Sequence, residues 1–524
     1  MRLVLAAALA LALATPAAAQ PPAQPAAPAA VPASAPPAQA YFEFMLARRL
    51  ESQGDTAGAL AALKRAQALD PKSAEILAEI AGFHARQNDG PEAIAAGEQA
   101  LKIDPNNLEA HRMLGLVFGA LSEAPTSPLP GRTPAQLRTA AIDHLTKILE
   151  TPSVATDLNI QLTLARLLLR SGRADRAVPV LENIVAQAPF AAEPYTMLGD
   201  ARLAMKNLDG AIEAYEMAAE INPRNYAVLG DLYERQGRWA DAATAYEQAL
   251  ANPRSATREM RLRYFAALLN SSDKASAAKA RDGLKDYLVT NPQDARGLLL
   301  LARSQMLLGD FANAEETARR LVALDPTSLT GTQALADVLG ARRDYRKVIE
   351  LLTPFVLDAE GRSKGHESDA AILLSVLAQA HLELDEYDRA VTVLMAAVKR
   401  DPLSAPVLNS LGYTLAERGE RLPEAVGFIE RALKVDPDNP SYLDSLGWAL
   451  YKQGKTDEAE SHLRRAADAL PTQSVIQDHF GDVLVKRGKV AEAISAWEKA
   501  LAGDGDDVNR PAIEKKIKDA KGKQ

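Results

Sequence analysis

Apolar residues recur three and four positions apart along nearly the whole chain, the spacing that gathers them on one face of an α-helix. The pattern is clearest from Pro402 to Pro471, where one unit is written out twice. LNSLGYTLAERG (408–419) and LDSLGWALYKQG (443–454) each carry Leu-Gly in a first amphipathic segment and end on a glycine-bearing turn. LPEAVGFIERALKVDPDNP (422–440) and DEAESHLRRAADALP (457–471) supply a second segment with alanines and a proline in matching places. Leu411-Gly412 aligns with Leu446-Gly447, Ala425 with Ala459, Ile429 with Leu463, Ala432 with Ala466, and Pro437 with Pro471.

These columns have a physical reading. Glycine and alanine let two helix backbones approach closely, so Leu at Ala459 or Ala466 should overpack the junction by about 1–3 kcal/mol. The closing proline lacks an N–H and separates one helical pair from the next. A single pair cannot bury its own apolar stripe, so neighbours must stack. The pattern resembles the tetratricopeptide (TPR) repeat, a helix-turn-helix unit of about 34 residues. The resemblance implies an all-α, right-handed α-solenoid.

Repeats are expected from residue 40, where Leu46, Leu50, Ala59, Leu63, Ala66 and Pro71 fill the first set of columns. Closing prolines then fall at 71, 105, 152, 189, 223, 253, 292, 326, 402, 437 and 471. The interval 105–152 is long because of APTSPLPGRTPAQ (124–136), a proline-rich loop inserted between the two helices of its repeat. A second insertion, AEGRSKGHES (359–368), lengthens 326–402. The repeat closing at 253 is short and the next one long, so residues 251–282 are the least regular part of the array. Eleven prolines, a proline-less repeat ending near Phe355 and a last one ending at Gly505 make about thirteen repeats. We therefore expect an N-terminal array over 40–250, an irregular central array over 251–367 and a regular one over 368–505. A basic capping helix and tail follow over 506–524.

The composition changes the picture at the N-terminus. MRLVLAAALALALATPAAAQ has a positive start, an apolar run and small residues at 17 and 19, the form of a cleavable signal peptide spanning 1–19. The apolar run is shorter than the ~20 residues of a spanning helix, so no integral membrane segment is expected after cleavage. Residues 20–39 are rich in Pro and Ala and uncharged, a linker that cannot build a core. Export to the periplasm of a Gram-negative cell is the expected address. The chain has no Cys, which excludes disulfides, thiolate metal sites and a lipid-anchored cysteine. A net charge of −8 argues against general nucleic-acid binding.

Seven histidines are scattered, and none forms the HExxH spacing that puts two metal ligands on one helical face. His84 and His111 stand in apolar columns and are read as packing residues, while His366 lies in the second insertion. No phosphate loop, dinucleotide fingerprint or nucleophile elbow occurs. No catalytic residue, metal site or cofactor is therefore expected, and the chain is read as a non-enzyme.

In a TPR stack the first helix of each pair lines the concave face. The candidate groove residues are then Asn409 and Tyr413, next Asp444, Trp448 and Tyr451, and last Asp478 and Asp482. Two roles fit Trp448 and Tyr451: contact with a partner, or packing against the neighbouring pair. The Lys/Asn clamp by which some TPR proteins hold a terminal carboxylate is not evident, because these positions lean acidic. Tyr41, Phe42 and Phe44 open the first helix with no repeat before them, and form a candidate N-terminal contact for a partner, a second copy or the Pro/Ala segment.

LNSLGYTLAERG, LDSLGWALYKQG and DHFGDVLVKRGKVAEAISAWEKAL also resemble exported proteobacterial TPR adaptors that dock carboxyl-terminal processing proteases. That resemblance implies a scaffold holding an envelope protease and its substrates, or other cell-wall machinery. The alternative is an envelope TPR protein that binds or helps export polysaccharide.

Overall fold

The computed structural model describes residues 38–125, 129–152, 154–254, 256–357, 370–504 and 508–522. The expected signal peptide, the linker up to residue 37, the second insertion with His366, and Gly505 lie outside them. Among the described residues there are 27 α-helices and no strand, which is thirteen pairs and one terminal helix. The chain divides into two compact units, 1–221 and 222–524.

The first unit holds five pairs. They are α1 (Ala38–Ser52) with α2 (Thr56–Leu69), α3 (Ala74–Arg86) with α4 (Gly90–Ile103), and α5 (Leu108–Leu121) with α6 (Pro134–Leu149). α7 (Leu158–Arg170) with α8 (Ala174–Gln187) and α9 (Ala192–Ala204) with α10 (Leu208–Ile221) complete it. α1 begins two residues before the expected start of the array at residue 40.

The second unit opens on a 3-10 turn (Pro223–Asn225) and α11 (Tyr226–Arg235) with α12 (Trp239–Leu250). It continues with α13 (Arg258–Asn270) and α14 (Lys274–Thr290), α15 (Ala295–Leu307) and α16 (Phe311–Leu324), and α17 (Leu329–Ala341) and α18 (Tyr345–Val356). α19 (Ala370–Leu382) pairs with α20 (Tyr387–Arg400), α21 (Ala405–Arg418) with α22 (Leu422–Val435), and α23 (Pro440–Lys452) with α24 (Thr456–Ala469). α25 (Ser474–Lys486) with α26 (Val490–Ala502) is the last pair, and α27 (Arg510–Lys521) packs on α26. The irregular spacing seen in the sequence is absorbed in helix length, since α11 has 10 residues and α14 has 17.

Local sequence sets the helix ends. In several repeats the residue two places after the closing proline caps the next helix, its side chain accepting from the first turn's backbone. Ser73, Asn107, Asp294 and Asn439 do this after Pro71, Pro105, Pro292 and Pro437. The first insertion is shorter than expected because its last proline does not break a helix but starts one. Pro134 sits at the first position of α6, where its missing N–H costs nothing, behind a Thr133/Gln136 capping box.

The glycine column is where paired helices touch. A methyl at Gly447 would lie 2.6 Å from Leu463 Cγ and 3.1 Å from the Ala459 carbonyl. Gly199 is covered in the same way by Tyr215, Gly230 by Tyr246, Gly412 by Ile429 and Gly481 by Trp497. The residue after each glycine matches the covering side chain. Where it is Asp, the cover is an aromatic whose polar tip it holds: Tyr215 donates to Asp200 (2.6 Å), Tyr246 to Asp231 (2.7 Å) and Trp497 to Asp482 (3.2 Å). Where it is Tyr413 or Trp448, the cover is aliphatic.

Candidate functional site

The first helices α19, α21, α23 and α25 lie side by side in the second unit and enclose a cavity of about 580 Å3. Four of the seven expected groove residues line it: Asn409, Tyr413, Asp444 and Asp478. Trp448, Tyr451 and Asp482 do not. Asn409, Tyr413 and Glu417 sit four residues apart and so share one face of α21. Asn409 Oδ1 is enclosed and accepts no hydrogen bond among the described residues. Burial pushes the Tyr413 hydroxyl pKa up, with the Glu417 and Asp444 charges adding to it.

Trp448 takes the packing role of the two the sequence allowed. It is 7% exposed, its ring stacks on His479 at 4.0 Å between centroids, and Tyr451 stacks beside it at 5.3 Å. Its indole N–H donates to Glu417 Oε2 at 2.6 Å, and the Lys452 ammonium stands over the ring. The indole therefore buttresses the cavity wall instead of facing its interior. His479 is the partner that carries this arrangement. Its Nδ1 lies 3.0 and 3.2 Å from the two Asp444 oxygens, tying α25 to α23.

The remaining acidic positions are engaged by the terminal helix. Lys516 of α27 donates to Asp478 Oδ1 and Asp482 Oδ2, both at 2.8 Å. Burial pushes the Lys516 ammonium pKa down, but the two carboxylates outweigh it and the net shift is upward. Asp482 is buried enough for its pKa to rise despite that ammonium. Asn509, at the start of α27, completes one edge of the cavity.

Sequence reasoning missed Glu417, His479, Gln379, Ser441 and Gln473 in the lining. Glu417 had a signal, since it is one further helical step from Tyr413. His479 had none, because its role depends on a carboxylate 35 residues away. A second, more open cleft of about 840 Å3 at the α19–α20 turn is lined by Asp385, Asp388 and Arg389, among others. There Arg418 is paired with Asp388 and Arg389 with Glu386.

At the other end, Tyr41 and Phe42 are 57% and 64% exposed, whereas Phe44 packs into the first core beneath Arg48. Two histidines read as packing residues have polar partners. His84 Nδ1 bonds Asp89 at 3.0 Å, and His111 Nδ1 lies 2.8 Å from His144 Nδ1. Among the described residues no group of three or more His, Asp or Glu could hold a metal, and no helix is long and apolar enough to cross a membrane.

Tetratricopeptide repeat profiles match residues 44–107, 162–226, 267–328 and 375–440, and a further one matches 226–257. A tetratricopeptide repeat-like profile matches 445–522. Human tetratricopeptide repeat protein 21B is 26% identical over 298 residues, 46% of this chain and 22% of that protein. TPR repeat-containing protein PA4667 of Pseudomonas aeruginosa is 32% identical over 108 residues, 21% of this chain and 18% of that one. The chain thus spans about a fifth of the length of these relatives. Among solved structures, the anaphase-promoting-complex heterotetramer Cut9-Hcn1 is similar over 92% of this chain and 96% of that one, at 12% identity and a TM-score of 0.39. YrrB, titled a TPR protein with an unusual peptide-binding site, is similar over 37% and 95%, at 16% identity and 0.29. With repeat profiles along most of its length and thirteen helical pairs, the chain belongs to the tetratricopeptide repeat family.

Proposed function

We propose that this protein is an exported, non-enzymatic scaffold that binds an extended segment of a partner protein in the cavity formed by α19, α21, α23 and α25. The observation that carries this reading is that cavity, with Asn409 Oδ1 enclosed and lacking a donor among the described residues. A buried acceptor without a partner costs about 1–3 kcal/mol, and a peptide N–H or side-chain donor would recover it. The signal-like N-terminus supports a periplasmic address, and an envelope protease with its substrates is the partner class suggested by the resemblance. The polysaccharide reading is less favoured, since the Trp448 ring is covered by His479, Tyr451 and Lys452 and offers no platform for a sugar.

The test is a crosslinking pull-down from a native envelope with the full chain and its Tyr413→Ala variant. A discrete set of proteins retained by the first and lost by the second is expected. Retention of the same set by both would discredit the cavity as the binding site. N-terminal sequencing of the exported protein should find Gln20 first.

A further inference from the structure

The geometry points to a cation-accepting subsite: the cavity bounded by Asn409, Tyr413 and Glu417 takes a lysine or arginine side chain of an extended partner segment. This rests on the reading above and specifies its ligand.

Three independent features converge. The first is the charge of the lining, which holds the carboxylates of Glu417, Asp444 and Asp478 and no Lys or Arg. Two of these are compensated, Asp444 by His479 and Asp478 by Lys516. Glu417 is exposed, and its bond from the neutral Trp448 indole leaves its charge in place. The second is the enclosed Asn409 Oδ1, an acceptor two helical turns from Glu417 on the same face of α21. Tyr413 lies between them along that helix face and lines the cavity, its ring centroid 6.3 Å from that of His479, and an aromatic ring gains about 0.5–2 kcal/mol from a cation on its face. Acceptor, π face and carboxylate in one row suit a donor-only group.

The third is an example within the chain. Lys516 lies in this acidic row of first-helix positions, held by Asp478 and Asp482 at 2.8 Å each and standing 5.9 Å from the Trp497 ring centroid. A lysine between first-helix carboxylates and beside an aromatic ring is thus already realised two repeats further on, at α25. In the row formed by Asn409, Tyr413 and Glu417 the nearest lysine, Lys452, donates to the Glu417 backbone carbonyl at 3.2 Å, and no lysine or arginine is paired with the Glu417 carboxylate among the described residues. A terminal carboxylate, the ligand of a Lys/Asn clamp, would meet the carboxylates of Glu417, Asp444 and Asp478 and no Lys or Arg there.

A positional-scanning library of octapeptides tests this, each fixing one residue at one position, with binding to the full chain read by fluorescence anisotropy. Lys and Arg should be enriched at one position at least tenfold over Glu, and replacing Arg there by its neutral isostere citrulline should remove the enrichment. Glu417→Gln keeps an acceptor for the Trp448 indole and should weaken the basic peptides about tenfold while leaving the citrulline peptide unchanged. Unaltered tryptophan emission would show that the wall is intact. Enrichment of neutral or acidic residues that is lost in Tyr413→Ala overturns the cation preference and leaves the groove reading standing. No enrichment at any position overturns both. Displacement of the basic peptide by spermidine with equal potency would assign the site to small polyamines and also overturn the proposal.

Discussion

His479 Nδ1 on α25 lies 3.0 Å from Asp444 Oδ1 on α23, and both side chains are less than a tenth exposed. Burial alone pushes the imidazole pKa down, but the charge and hydrogen bond of Asp444, aided by Asp478 and Glu417, outweigh it and raise the pKa above 6.5. The folded unit therefore binds a proton that the unfolded chain releases near pH 6.5. Stability from this pair is fully present below that pH and is lost as pH rises through the folded pKa. All three tryptophans (239, 448 and 497) lie in the second unit, so tryptophan emission reports its unfolding alone. The urea midpoint should fall between pH 6 and pH 9, and His479→Gln should flatten that slope. His479→Leu, which strands a buried carboxylate, should cost about 3–5 kcal/mol, with much of it restored by adding Asp444→Leu. A wild-type midpoint indifferent to pH would contradict the pairing.

The first unit should respond to acid in the opposite sense. His144 stacks on Phe118 and faces His111, and burial first, then repulsion from His111, lower its pKa to about 4. Asp143 and Glu98 pull the other way and Arg132 reinforces the depression. The unfolded imidazole takes up its proton near pH 6.5, so the stability contribution is present above that value and is lost as pH falls toward 4. Hydrogen exchange over α5 and α6, corrected for intrinsic rates, should show lost protection at pH 5 relative to pH 7.5. His144→Phe preserves an aromatic against Phe118 and should abolish the difference. An undiminished acid response in that variant would place its origin elsewhere.

Gly447 and Gly427 separate packing from propensity. Both are helical, but a methyl at Gly447 meets Leu463 and the Ala459 carbonyl, whereas one at Gly427 meets nothing within 4 Å. Gly447→Ala should destabilise the second unit by about 1–3 kcal/mol through overpacking. Gly427→Ala should stabilise it by about 0.5–1 kcal/mol, because alanine gives up less backbone freedom in a helix. Equal effects of the two substitutions in urea titrations would show that the glycine column is not a contact column.

How much of this was legible depends on whether a feature repeats. The glycine and alanine columns, the closing prolines and the thirteen pairs follow from a period that any one copy reinforces. Contacts between pairs do not repeat in that way, because they depend on how one pair is rotated on the next. So Trp448 read equally well as a groove residue and as packing, and only the structure shows its seat against His479 and Glu417. Asp482 read as a groove residue because its position is right; the Trp497 indole and Lys516 claim it. The link between Asp200 and Tyr215, or Asp231 and Tyr246, was present in the sequence as a fifteen-residue spacing. It went unread because the two clearest copies, at Gly412 and Gly447, use an aliphatic cover instead.

Arg343 and Gly309 occupy the same place in successive repeats, the turn from first to second helix, and both adopt a left-handed backbone, with φ of 59° and 75°. That conformation crowds the Cβ of an L-residue against its own carbonyl, at about 1–2 kcal/mol. Lys206 holds the corresponding turn in the first unit, at φ 61°. Arg343 and Lys206 are both exposed, and no hydrogen bond or ion pair of either side chain is described. Arg343→Gly and Lys206→Gly should each stabilise by about 0.5–1 kcal/mol, the relief of strain being partly offset by the greater freedom of glycine in the unfolded chain. Gly309→Ala should cost about 1–2 kcal/mol. Tryptophan-monitored urea unfolding reads the Arg343 and Gly309 variants, and hydrogen exchange over α9 and α10 reads Lys206→Gly. Destabilisation by either glycine would mean that the arginine or lysine stem contributes more to the turn than its backbone strain removes.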